Sequence, residues 1–154
     1  MFLKKPIRWP AEEEDRSTMT EPESDLDYLL KHMQPVLDDH PLVFCSLPPE
    51  KAEDYLTVCQ GFYCEREGVT VIIDKHLADL EQLPYNLVFK RITLNVYSSL
   101  SAVGFLSRIT EVLAAQGISI NVVSAYYHDH LYVQSAQAKQ ALETLLTWQD
   151  KLSE

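Results

Sequence analysis

The sequence predicts an α+β fold, a mostly antiparallel sheet with helices on one face, and three observations carry that reading. Ile92, Leu94 and Val96 alternate with Thr93, Asn95 and Tyr97, the period of two expected of a strand with unlike faces. Phe105, Leu106, Ile109, Val112 and Leu113 form one apolar stripe at helical spacing. Strand and helix patterns mix along the chain without a βαβαβ run or a glycine-rich phosphate loop.

Composition bounds the function classes. With 154 residues, 46% hydrophobic and 23% charged, the chain suits one ordinary domain or two very small ones packed together. A net charge of −10 repels phosphate backbones and anionic lipid headgroups, so neither nucleic acid nor a membrane is an expected partner. No apolar run approaches the ~20 residues needed to cross a bilayer. Met1 to Pro10 is basic but lacks an apolar signal core and a cleavage site, so a cytoplasmic protein is expected. Cys45, Cys59 and Cys64 show no zinc spacing and are expected to be free thiols, with Cys45 in the core.

The elements follow in order. Ala11 to Asp25 holds seven acidic residues against one arginine, and residues 1–23 are expected to be disordered; Met19 within it is a second candidate start. Ser24 and Asp27 have capping-box spacing, and Leu26, Leu29, Leu30 and Met33 follow as a helix stopped by Pro35. After a polar turn, Leu42 to Leu47 reads as a strand bounded by prolines. Phe62 to Glu67 and Val69 to Asp74 flank Gly68 as a hairpin, and His76 to Leu83 is a helix ended by Pro84. The helix through Phe105 stops at Gly117. Ile118 to Tyr127 is a strand, turned by His128-Asp129-His130 into Leu131 to Gln134, and Ala138, Ala141, Leu142, Leu145 and Trp148 line a last helix. Two units result, 24–86 and 87–154, each one strand short of a complete βαββαβ unit.

The stretch from Ser101 through Gly104-Phe105-Leu106 to Gly117-Ile-Ser-Ile-Asn-Val-Val-Ser124 resembles the signature of ACT domains, above all those of aspartate kinases. With Tyr127-His-Asp-His-Leu-Tyr-Val133 after it, the ordered chain is similar to small stand-alone bacterial proteins with two tandem ACT-like units. The resemblance implies ferredoxin-like (βαββαβ) units and a regulatory protein, not an enzyme, that binds a small molecule of the amino-acid class and self-associates as a homodimer or higher homo-oligomer. The first unit departs from the family in having no glycine loop into an amphipathic helix between its first two strands.

An amino acid needs donors for its carboxylate and acceptors for its ammonium. A helix start supplies donors, because its first N–H groups are unpaired and its dipole favours an anion. Gly104 admits close approach to backbone, and Asn121, opposite in face to Ile120 and Val122, both donates and accepts. Ser101, Val103, Gly104, Phe105, Asn121 and Val122 are therefore the expected ligand residues, joined by Tyr126 and His128, because Tyr126 to His130 is the second place for a site. The competing account has Gly104 shaping a turn and Asn121 pairing locally. His128 and His130 could share a metal with Asp129 or His76, but Asp129 suits a turn and no third ligand is fixed by spacing, so neither metal nor cofactor is expected. Tyr126, Tyr127 and Tyr132 could line a pocket or an interface, with sheet packing the simpler account. No nucleophile elbow is present. The alternative function is an oligomerising scaffold that binds no ligand.

Overall fold

The computed structural model of the protein describes residues 21–154. In chain order its elements are α1 (Leu26–Lys31), β1 (Pro35–Leu47), α2 (Pro49–Ala52), β2 (Gly61–Cys64), β3 (Val69–Asp74), α3 (Lys75–Leu80), β4 (Val88–Leu94), α4 (Phe105–Ala114), β5 (Ile120–Ser124), β6 (Asp129–Gln134) and α5 (Ala138–Ser153). They divide into two compact units: unit 1 is Pro41–Val88, and unit 2 is Phe89–Glu154 together with residues 21–40. The expectation of disorder concerns residues that, up to position 20, lie outside the described chain. Pairing begins one residue before the expected onset at Ser24, because the Glu23 N–H donates to the Tyr97 carbonyl at 2.9 Å.

Unit 1 is built from the second part of β1 with β2 and β3, in the order β2-β3-β1, all antiparallel. Cys45 faces Val71 across the sheet, and Val43, Cys45, Leu47, Val71 and Ile73 form one apolar face. Burial at that face raises the Cys45 thiol above its usual range, the behaviour of a small core hydrophobe. The hairpin around Gly68 forms as expected, although β2 ends at Cys64. Helix α2 was not legible in the sequence. Pro48 and Pro49 open it directly at the end of β1, and one turn plus a 3₁₀ turn at Glu53–Tyr55 is too short for an apolar stripe. It brings Ala52 and Tyr55 onto the core. Asp74 caps α3 by accepting from the His76 and Leu77 N–H groups.

In unit 2 the strand order is β1-β4-β6-β5. This is the 4-1-3-2 order of a βαββαβ unit, with β4, α4, β5, β6 and α5 as its first five elements. The sixth strand, which the unit's own sequence lacks, is the first part of β1, from upstream in the chain. Pro35 therefore does more than stop α1: it is the first residue of a strand, where proline is tolerated. The polar turn expected after it is strand instead, because this stretch lies beside β4 in the sheet and packs Leu37 on the core; Asp38 and Asp39 meet Arg91 and Lys90 of β4 at 3.0 and 2.5 Å. Helix α1 is capped by Asp25, whose carboxylate accepts from the Tyr28 N–H at 2.7 Å, in place of the expected Ser24. Leu29, Leu30 and Met33 pack with Ile92, Leu94, Ile109, Leu113, Leu131, Val133 and Leu145 in a continuous core under α1, α4 and α5. Burying each such side chain contributes ~1.5–3 kcal/mol.

Candidate functional site

The longest connection in unit 2 leads from β4 to α4, and it shapes a site because of where it ends. Gly104 holds φ +90, a left-handed conformation that a side chain would strain, and a Cβ there would lie 3.4 Å from Leu26 Cδ2. As N-cap, glycine provides no side-chain acceptor, so α4 starts with free amide donors at the positive end of its dipole. The residues of this helix start line a cavity of about 140 Å³, bounded by Leu100, Ala102, Gly104, Phe105, Leu106 and Ser107, with Ser98, Ser99, Ser124 and Asp129 on its polar side.

Asp129 is the charged residue of that lining. It opens β6 opposite Leu94 of β4 and Ser124 of β5, and is only 5% exposed. Ser98 Oγ donates to its Oδ2 at 2.9 Å and Ser124 Oγ to its Oδ1 at 2.6 Å. Two hydroxyl bonds use half of the roughly four lone-pair sites of a carboxylate. Among the described residues no cation lies within ion-pair distance of it. The cavity thus joins a donor-rich, electropositive helix start to a buried acceptor carboxylate.

The structure brings Gly104 and Phe105 together at this cavity, but not the other expected residues. Ser101 pairs its hydroxyl with Ser99 at 2.8 Å, and Val103 points outward, 85% exposed. Asn121 does lie opposite in face to Ile120 and Val122, but it is exposed on β5, while Val122 packs against the core. Tyr126 is exposed, within an aromatic cluster with Tyr97 and Tyr127. His128 places Nδ1 3.3 Å from the Val96 carbonyl. The expected turn at 128–130 lies earlier: the Ala125 N–H bonds the His128 carbonyl, so Tyr126 and Tyr127 form its tip and Asp129 already belongs to β6.

His128 and His130 make separate hydrogen bonds. His130 sets Nδ1 3.0 Å from Thr93 Oγ1, and burial, with the Arg91 charge next, pushes its pKa down to about 4. Among the described residues no group of His, Cys, Asp and Glu is arranged for a metal ion. No described helix is long and apolar enough to cross a membrane.

Sequence reasoning missed Ser98, Ser124 and the inward role of Asp129. An internal comparison carries the signal. Strands β3 and β6 share one pattern of buried and half-buried positions, which sets Val69 against Asp129. Across the sheet, Val69 pairs with Leu47 and Cys64 where Asp129 pairs with Leu94 and Ser124.

Two family models, both of an ACT domain, match the chain, at residues 21–90 and 90–147. A Vibrio cholerae protein of unknown function, described as a possible transport protein, is 37% identical, with 80% of this chain and 95% of that one covered and a TM-score of 0.73. The ligand-free regulatory subunit of aspartate kinase from Thermus thermophilus shares the fold at 10% identity, with 73% and 94% covered and a TM-score of 0.57. An Agrobacterium tumefaciens protein does so at 16% identity, with 71% and 82% covered and a TM-score of 0.55. No curated protein matches the chain.

Proposed function

Because this chain belongs to the ACT-domain family, with two tandem ACT units of ferredoxin-like α+β fold, we propose that it is a non-catalytic regulatory protein that binds one amino acid per chain, in unit 2. The observation that carries this reading is the buried Asp129, held by Ser98 and Ser124 across a small cavity from the uncapped start of α4. The helix amides receive the ligand carboxylate and Asp129 its ammonium, so the two charges of the zwitterion meet complementary groups. The site draws on Gly104 and Phe105; Asn121, Val103 and Tyr126 lie outside it. Regulation follows by linkage: a ligand that prefers one assembly or one partner-bound state shifts that equilibrium by its differential affinity.

The test is a thermal-shift screen of the twenty amino acids followed by calorimetry. A binder present at 100 times its Kd stabilises the folded chain by about 2.7 kcal/mol, and the stoichiometry should be one per chain. Two ligands per chain, or none from the whole panel, would refute the proposal.

A scaffold reading is favoured by the exposed tyrosine cluster and by the outer edge of β5, which closes the unit 2 sheet. Self-association, as a homodimer or higher homo-oligomer, is compatible with both readings. Sedimentation with and without ligand separates them: a ligand-independent oligomer that shows no thermal shift supports the scaffold.

A further inference from the structure

We infer that the unit 2 cavity selects a small, uncharged amino acid, of the size of alanine, serine or threonine; the inference rests on the amino-acid reading above. Volume sets the first limit. About 140 Å³ is available, and a cavity of about 150 Å³ is filled by a molecule of benzene's size, so about six to eight non-hydrogen atoms fit. Aromatic and long basic side chains exceed that.

Charge sets the second limit. The lining carries one ionisable side chain, Asp129, and its carboxylate lies buried with two hydroxyl donors and no cation at ion-pair distance among the described residues. A buried charge without a counter-charge is strongly disfavoured, so the ligand's single ammonium completes the site. A second carboxylate on the ligand would meet Asp129 or the apolar wall with no basic group to receive it, which disfavours aspartate and glutamate. Beyond Asp129 the lining offers Ala102, Leu106 and Phe105 for a methyl group, and Ser99 and Ser107 for a hydroxyl.

Calorimetry on the full chain tests this with alanine, serine, threonine, aspartate, lysine and phenylalanine, and with glycerate, which has the size of serine but a hydroxyl in place of the ammonium. The three small neutral amino acids should bind at least on the order of tenfold more tightly than the other three, and glycerate should not bind. If aspartate, lysine or phenylalanine binds best, or glycerate matches serine, the selectivity is wrong while amino-acid binding stands. If none of the six binds while another of the twenty amino acids does, the selectivity is wrong; if none of the twenty binds, the underlying reading fails and this inference with it.

Discussion

In unit 1 the row Leu47, Val69, Cys64 crosses the sheet at the position where unit 2 has Leu94, Asp129, Ser124. The connections ahead of the helices differ in the same sense. Pro48 alone joins β1 to α2, whereas residues 95–104 lead from β4 to α4. Unit 1 thus starts its helix with prolines, which lack an amide donor, and fills the adjoining strand position with a valine. Unit 2 starts its helix on a bare glycine and fills that position with a carboxylate. The same fold closes one unit with apolar packing and opens a polar cavity in the other, so the cavity is a property of a few substitutions and one loop, not of the architecture.

The harshest way to break this comparison is to exchange the rows. Val69→Asp places a carboxylate beside Leu47 and Cys64 without hydroxyl donors, and should destabilise the chain by roughly 3–5 kcal/mol in urea unfolding; a loss below about 1 kcal/mol would show that unit 1 tolerates the polar row. The reverse exchange, Asp129→Val, should weaken amino-acid binding roughly 100-fold or more in calorimetry, since one partner of a desolvated charge contact is removed. Its stability should move by no more than about 2 kcal/mol, because the lost hydroxyl bonds are offset by no longer burying a charge. Unaltered affinity would place the ligand elsewhere.

Gly104→Val should cost about 1–3 kcal/mol through the left-handed backbone and the contact with Leu26, and remove binding while circular dichroism retains the native spectrum. Binding that survived would leave the glycine a turn former only.

Acid should act on unit 2 through His130, whose place in the strand pattern is taken by Thr70 in unit 1. Its folded pKa of about 4 lies below the ordinary 6.5, so the neutral form is favoured in the native state. This contribution is complete above pH 6.5 and declines as pH falls toward 4. Solvent screening limits it to about 1 kcal/mol. His130→Asn should flatten that part of the stability profile, and an unchanged slope between pH 6.5 and 4.5 would assign the acid sensitivity to other groups.

The smallest effect is expected at Asn121. Exposed on β5 and outside the cavity lining, it should change both affinity and stability by less than about 0.5 kcal/mol on conversion to alanine. A larger loss of affinity would restore it to the site.

The sequence by itself determined the unlike faces of β4, the stripe of α4, the Gly68 hairpin, the Gly104 loop and the ACT character of the second unit, because each is local: a periodicity or a backbone conformation is set by neighbours within a few residues. It also exposed the missing strand as a gap. Tertiary structure alone decided what fills that gap, since the start of β1 becomes strand beside β4, some fifty positions away, where Leu37 reaches the core and Asp38 and Asp39 meet Arg91 and Lys90. It likewise decided that Asp129 is a buried acceptor and not a turn residue: an aspartate is favourable in a turn from its own backbone, but is tolerated inside only when distant partners such as Ser98 donate to it, and no local pattern records that pairing.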